Sequence, residues 1–583
     1  MSDPAPDSPA ADGIDQGKRL IKVAPHGALS LTHRIAQYFE RLTWRTPLHD
    51  RRLDGRHPIR LIATPVDPLP GDAGAGQALL DGWIVGGGER VALDKLDMAR
   101  LSDTSAFTDY VHGFAWLRDL DAVGDRARTV PVAEGLTARW LAAHADRVSD
   151  PAWRPDVTAA RLVNWIFHAA LLLSSTDLIF RSRLLNGIAR AARHLDRTAD
   201  KATPGTPRLS AWAGVIVAGL LIPAGETRLT FGEAGFQRAL ATALSEDGGI
   251  VTRSPAALLD ALALIGTLRA AYDARRQPLP DAIQRAMTRM TPALLGTVMG
   301  DGGLSSWQGG LPLGAGHIND VLLASGAYGR PLRQSREWGY QRLAAGAAIV
   351  VMDAAPPPTA EVADGGCAST LAFEFSDGAE RLVVNCGGAR HAGVRVSPSL
   401  ATGLRTTAAH STLVVADTNS TAINPDGTLG RGVGEVELSR QESEAGSRIE
   451  ARHDGYARHH GFHHRRQLLL TGDGRELRGE DSLLPVERSG WHRRGSGSGT
   501  PFSLRFHLGP GVEAVATADG QAAMLRTPGG AFWHFRTKGE TLAIEESLWS
   551  DPLGRLVTIR QIVVPGHAPP GGASIGWIMK KAR

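Results

Sequence analysis

Two stretches decide the fold: Leu258-Leu-Asp-Ala-Leu-Ala-Leu-Ile-Gly-Thr-Leu268 and Leu371-Ala-Phe-Glu-Phe375. In the first, Leu258, Leu262, Ile265 and Leu268 recur at three or four residues, which puts them on one face of a helix. In the second, apolar side chains alternate, as on a strand with one buried face. Outward from the first stretch the helical spacing repeats in Phe107, Tyr110, Phe114 and Leu117, in Leu162, Ile166, Ala170 and Leu173, and in Leu209, Ala213, Ile216 and Leu220. Breaks such as Val148-Ser-Asp-Pro-Ala and Gln277-Pro-Leu-Pro-Asp supply stops and N-caps between antiparallel neighbours. Outward from the second stretch, short β-rich runs at 381–385, 411–416, 467–471, 504–508, 531–536 and 556–564 are separated by Asp377-Gly378, Asp426-Gly427, Asp473-Gly474 and Asp519-Gly520 turns. The pattern predicts helices over 29–327 and strands over 340–565, with the boundary near 329–336. The chain therefore divides into a flexible segment 1–25, a helical domain 26–332 and a β-sandwich domain 333–583, with a floppy Gly/Ser loop at 495–499.

The chain has 583 residues, 43% hydrophobic and 21% charged, which fits two or three globular domains and excludes a disordered or fibrous chain. A net charge of +4 gives no ground for a nucleic-acid partner. Cys367 and Cys386 are too few for a disulfide framework. The longest apolar stretches, 211–223 and 344–352, fall short of the ~20 residues of a membrane span, so none is expected. Residues 1–16 carry no basic and then apolar leader, and a cytoplasmic location is expected.

Two features attract chemistry. Glu246-Asp-Gly-Gly249 and Gly300-Asp-Gly-Gly303 each follow a helix and place Asp247 and Asp301 in loops on the rim of a helical array, where two carboxylates could serve an inverting glycosidase. Read as structure alone, the same loops are helix C-caps. Residues 452–466 hold an unusual density of His and Arg, which could line an anionic-sugar cleft or form an ordinary solvated face.

The motifs Tyr340-Gln-Arg-Leu, Met352-Asp-Ala-Ala-Pro-Pro-Pro358, Leu371-Ala-Phe-Glu-Phe, Val383-Val-Asn-Cys-Gly, Arg405-Thr-Thr-Ala-Ala-His-Ser-Thr-Leu, His453-Asp-Gly-Tyr and His464-Arg-Arg, in this order, resemble the heparinase II/III family. The resemblance covers about residues 100 to 583. It implies an α+β multidomain chain, an incomplete (α/α) toroid followed by an antiparallel β-sandwich, and β-elimination on an acidic, uronate-containing polysaccharide. Such a reaction needs the carboxylate neutralised, a base for the sugar C5 proton and an acid for the leaving oxygen. Tyr456 and His410 are the candidates for proton transfer and Arg405 for the carboxylate clamp, with Arg458, His453 and His464 as further substrate-binding candidates. Arginine's planar fork suits a carboxylate or sulfate. The family also implies a periplasmic location as the alternative. A structural zinc, which some members hold, would find its nearest ligands in Cys367, Cys386 and His410, and no cofactor is otherwise expected.

This chain departs from the family at one decisive place. Where members carry a His-Ala-His-Ala-Asp type segment, it reads Gly365-Gly-Cys-Ala-Ser369, and the helical counterparts of the family's polar residues are Pro207-Arg208 and Ser254-Pro-Ala-Ala257. A non-catalytic binder of acidic glycan is therefore a third reading beside lyase and glycosidase.

Overall fold

The computed structural model describes residues 14–15, 17–22, 47–55, 60–103, 105–360, 362, 365–390, 396–486 and 499–582. The loop expected at 495–499 lies almost wholly outside them.

Helices run from Ala106–His112 to Ala315–Ser325, and every strand from Tyr340–Ala345 onward belongs to the sandwich. Pro155–Phe167, Thr206–Leu221, Pro255–Ala274 and Ala315–Ser325 pack side by side as an inner row, and Leu178–Thr198, Glu226–Ala243 and Asp281–Gly296 alternate with them in sequence. Small residues set the close approaches: a Cβ on Gly214 would lie 2.7 Å from that of Ala159, and one on Gly266 3.1 Å from Ala324. The Pro255–Ala274 helix is long and apolar enough to cross a membrane, but 72% of its apolar window is buried inside the domain. Its apolarity is that of a core helix.

The helical core contains a buried cation. Arg161 is fully buried and has no carboxylate partner among the described residues; its guanidinium lies 4.2 Å from the Trp140 ring centroid, 5.2 Å from Trp153 and 5.5 Å from Trp165. It donates to the Ala152 and His112 carbonyls at 2.6 and 3.2 Å. Ring quadrupoles and carbonyl dipoles replace an anion here, and burial lowers the group to about 9.

The sandwich consists of two antiparallel sheets among the described residues. The first runs Arg19–Lys22, Glu435–Ser443, Gly446–His453, Phe462–Thr471, Glu476–Pro485, Ala573–Lys581, Phe532–Thr537, Ala522–Arg526, Glu513–Ala516. The second runs Ala543–Ser550, Leu556–Ala568, Thr500–Leu508, Glu380–Val384, Phe373–Asp377, Ala348–Asp353, Tyr340–Ala345. Between them Phe373 stacks on Trp577 at 5.6 Å and Phe506 meets the same indole edge-on at 4.9 Å. Arg19–Lys22 corrects one expectation: assigned to a flexible segment, it pairs with Glu435–Ser443 and edges the sandwich.

Candidate functional site

Residues 303–313, between the Asp281–Gly296 and Ala315–Ser325 helices, run against the sandwich and tie the two domains together. The Ser306 amide donates to Glu374 Oε1 at 2.8 Å, Gln308 Nε2 to Ser369 Oγ at 3.0 Å, and the Cys367 amide to Gln308 Oε1 at 2.9 Å. Three Gly-Gly pairs meet on this line. The Gly388 amide donates to the Gly310 carbonyl at 3.0 Å, a Cβ on Gly309 would come within 2.8 Å of the Gly365 carbonyl, and one on Gly387 within 2.8 Å of Ser306 Cβ. Only chains without side chains approach so closely. Beside them Arg253 bonds Asp353 at 2.6 Å and the carbonyls of Trp338, Ala355 and Pro356, and Asp353 also accepts from Ser369 Oγ at 2.7 Å.

The two rim carboxylates belong to this joint. Asp247 accepts from the Glu337 and Trp338 amides at 2.8 and 3.1 Å, and Asp301 is forked by Arg381 at 2.7 and 3.0 Å. Both fasten the helical loops to the β-domain, so these carboxylates are committed to protein partners.

The His/Arg cluster is split by strand alternation. In Phe462–Thr471 the side chains of Phe462, His464, Arg466, Leu468 and Leu470 point inward, and His463, Arg465, Gln467 and Leu469 are less buried. Inside, the Gly455 amide donates to His453 Nδ1 at 3.0 Å, which leaves the proton on Nε2, directed at His464 Nδ1 3.3 Å away. His464 Nε2 in turn donates to Asp481 Oδ1 at 2.8 Å. Arg466 bonds the same carboxylate at 2.7 Å and the Leu371 and Ser411 carbonyls at 2.6 and 2.8 Å, while the Trp577 indole takes its other oxygen at 3.0 Å. Burial keeps both imidazoles neutral, and against burial the Arg466 charge and the His464 bond hold Asp481 down at about 2.

Tyr456 and His410 are also sealed. Each is 1% exposed. The Tyr456 hydroxyl donates to the Leu413 carbonyl at 3.0 Å, and burial raises it well above the usual phenol range. His410 Nδ1 bonds the Thr406 carbonyl at 2.7 Å, and burial lowers the ring to about 4. Arg405 donates through Nε to the Gly366 carbonyl at 2.8 Å, and one of its terminal nitrogens is buried without a partner. Arg458 is exposed on the short Ala457–His460 helix. The structure thus brings Tyr456, His453 and His464 together, but in the sandwich interior.

The three weak metal candidates do not converge. Cys367 Sγ faces the Gly365 carbonyl at 3.4 Å, and Cys386 Sγ lies 3.8 Å from His507 Nδ1 and from Ser547 Oγ. Burial raises the two thiols to about 12 and about 11, which disfavours the thiolate a metal requires. Among the described residues no group of three or more His, Cys, Asp or Glu side chains is arranged to hold an ion.

A second group of charged side chains lies near the N-terminal ends of the inner helices. Thr206 Oγ1 donates to the Ala257 carbonyl at 3.0 Å, tying two of these ends together, and Ser254 caps the second beside Gly310. Arg154 forks Asp156 at 2.8 Å through each nitrogen and reaches Asp109 at 2.7 Å. Asp260, on the Pro255–Ala274 helix, is open to solvent yet ringed by protein; desolvation raises its carboxyl against the fields of Arg390 and His317. Asp109 is likewise raised by burial, with Arg154 and then Arg390 among the groups opposing it. Sequence reading missed this mouth, although the three Gly-Gly pairs were there to mark it.

The C-terminal part, residues 327–578, matches the model of the heparinase II/III-like C-terminal domain. FtsZ-localized protein C of Caulobacter vibrioides is 30% identical over 567 residues, covering 94% of this chain and 95% of that protein. The crystal structure of heparinase III superposes with a TM-score of 0.71 at 11% identity, over 96% of this chain and 93% of the enzyme. Heparan sulfate lyase HepC from Pedobacter heparinus gives 0.56 at 14%, over 94% and 88%. The helical toroid followed by a β-sandwich is the fold of heparinase III, and the chain belongs to the heparinase II/III-like family.

Proposed function

We propose that this chain binds an acidic polysaccharide or oligosaccharide at the mouth between toroid and sandwich, and that it does so without β-elimination. One observation carries the reading: the groups offered for proton transfer, Tyr456 and His410, and the substrate-binding candidates His453 and His464 are buried and already bonded to main chain or to one another and Asp481. In place of the family's histidine segment stand Cys367 and Ser369, whose amide and hydroxyl are taken by Gln308 and Asp353. The exposed Arg390 and the N-terminal ends of the inner helices leave the mouth suited to an anion. The name of the Caulobacter relative puts that protein with FtsZ, and we extend the same location to this chain, to be checked by imaging a fluorescent fusion beside labelled FtsZ.

β-Elimination on a uronate polymer is the second reading. It is favoured by Asp260, an exposed carboxyl whose affinity for a proton is raised by desolvation.

A panel of uronate-containing polymers separates the two. Binding is measured by calorimetry at low and high salt, and unsaturated uronate ends by ultraviolet absorbance. Saturable, salt-sensitive binding without absorbance is expected. Growing absorbance would replace the binding reading with the lyase one, and no binding to any polymer would sink both.

A further inference from the structure

The inner helices start at the joint with the sandwich and end away from it, and a stretch of chain without regular structure, Arg60-Leu-Ile-Ala-Thr-Pro-Val-Asp-Pro-Leu69, crosses the base formed by their C-terminal ends. The Ile62 amide donates to the carbonyl of Leu221, the last residue of Thr206–Leu221, at 2.9 Å. Pro68 shares a cavity of about 300 Å³ with Gly266 and Ala270 of Pro255–Ala274 and with Leu323 of Ala315–Ser325. Leu61, Ala63 and Leu69 pack on the helical core. Pro65, Pro68 and Pro70 have no amide hydrogen and hold the residues before them extended, so side chains must do much of the fastening.

Asp67 is the fastener. Its Oδ1 accepts from the Leu69 amide at 3.1 Å and its Oδ2 from Arg118 Nε at 2.7 Å. The same Oδ2 lies 3.3 Å from His168 Nε2, while His168 Nδ1 lies 3.5 Å from Asp121 Oδ2. His168 is 4% exposed and ends the fourth inner helix, Pro155–Phe167; its amide donates to the Asn164 carbonyl at 3.0 Å and its carbonyl accepts from Leu171 at 3.0 Å. The charged groups around the ring are Asp67 on the crossing segment, Arg118 and Asp121 on Trp116–Asp121, and Arg126, which donates to the Ala170 carbonyl at 2.7 Å from the start of Arg126–His144.

A neutral imidazole has one N–H and one lone pair. With a carboxylate oxygen beside each nitrogen, the neutral ring of His168 turns its lone pair toward one of them, and only the imidazolium can donate to both. Its seat at a helix C-terminus favours the same charge. Burial opposes it, but the contacts with Asp121 and Asp67 prevail and hold the ring above its ordinary 6.5, the reverse of the buried His112, His194, His410 and His507.

We propose that the His168 imidazolium is a pH latch: bridging Asp67 and Asp121, it holds residues 60–69 across the base of the inner helices, and loss of its proton as the pH rises lets that segment loosen. A proton held more tightly in the folded than in the unfolded chain stabilises fully below about 6.5, and the contribution is lost as the pH rises through the folded value. What loosens is the cover of the base. The mouth lies at the other end of the helices, so glycan binding has no part in the test.

The experiment uses the full chain, with His168→Gln and Asp121→Asn as variants, and follows hydrogen exchange by mass spectrometry in peptides spanning residues 60–70, from acid to alkaline pH. At about pH 6 the wild type should exchange about tenfold more slowly than His168→Gln, the factor that one unit of pKa represents, and the two should converge at alkaline pH. Comparison at equal pH cancels the intrinsic pH dependence of exchange. Asp121→Asn supplies an amide donor to the neutral ring, so its segment should stay protected where that of the wild type loosens. A wild-type profile parallel to that of His168→Gln at every pH, or an Asp121→Asn profile identical to the wild type, would overturn the latch. The titration of the His168 ring in the wild type, followed by NMR and identified by its disappearance in His168→Gln, decides independently of how well the variants fold: a midpoint above the ordinary 6.5 is expected, and one below it would show that the ring bridges the carboxylates uncharged and cannot act as a latch.

Discussion

The sandwich interior and the mouth between the domains are built from the same residue types, and they behave in opposite ways. In the interior, His453, His464, Asp481 and Arg466 form a chain in which each imidazole donor finds an acceptor and the one carboxylate takes three donors. At the mouth, Arg154, Asp260 and Arg390 keep contact with solvent, and the Arg390 charge acts on Asp260. The first arrangement has spent its chemistry on holding two sheets together, and the second still has chemistry to offer a ligand. Density of ionisable side chains along a sequence does not distinguish the two; the fate of each hydrogen bond does.

The sharpest way to break this contrast is at Asp481. Asp481→Asn preserves shape but leaves Arg466 fully buried without its counter-charge, and breaking a buried pair from one side costs about 3–5 kcal/mol. Chemical denaturation should show the sandwich losing that much, while oligosaccharide affinity of the folded protein stays unchanged. A loss below about 1 kcal/mol would mean that the interior network is not what holds the sheets.

Acid sharpens the contrast at His410. Unfolded, the ring titrates near its ordinary 6.5; folded, burial holds it at about 4. Between those values the unfolded chain binds a proton that the folded chain refuses, so the stability due to the neutral ring is whole above pH 6.5 and falls as the pH drops toward 4. By then the loss is about 3 kcal/mol. His112, His194 and His507, lowered by burial to about 4, 3 and 3, add to the same slope. His410→Asn, which keeps a donor where Nδ1 stood, should be less stable at pH 7.5 but lose less on acidification than the wild type. Identical acid slopes in unfolding experiments would show that His410 is reached by protons in the folded state, and so belongs to the open region after all.

The same contrast explains what the sequence revealed and what it hid. The change of period was legible because each half repeats its own pattern many times, and the boundary expected at 329–336 falls between the Ala315–Ser325 helix and the Tyr340–Ala345 strand. The Arg19–Lys22 strand was hidden because it is four residues long and finds its partner at Glu435–Ser443, far along the chain. The Trp83–Gly86 and Glu89–Ala92 hairpin was readable from Gly87-Gly88 at its turn, with φ 55° and 83°, but sits alone among helices. In the His/Arg cluster the alternation along Phe462–Thr471 already sorted His464 and Arg466 from His463 and Arg465; what it could not say was which set faced the core. The mouth was illegible because its charges come from separate helices and a loop. Only the glycine pairs at 309–310, 365–366 and 387–388 hinted that backbones must meet there.

The smallest effect tests the residue on which a catalytic reading would lean most. Tyr456→Phe removes a hydroxyl whose visible partner is the Leu413 carbonyl, inside the sandwich, and keeps the ring that packs 5.6 Å from His453. Removing one such neutral bond costs about 1 kcal/mol, the buried carbonyl losing a donor while the packing survives. The melting temperature should therefore drop slightly, and affinity for the oligosaccharide should not change, because no atom of Tyr456 reaches the mouth by any contact described above. Had the hydroxyl carried a proton to or from a sugar, the same substitution would leave stability nearly intact and lower turnover by about 10²–10⁴-fold. The two outcomes differ in which quantity moves. A fall in turnover or binding with an unmoved melting curve would transfer Tyr456 from the sealed region to the open one and reinstate proton transfer by the sandwich.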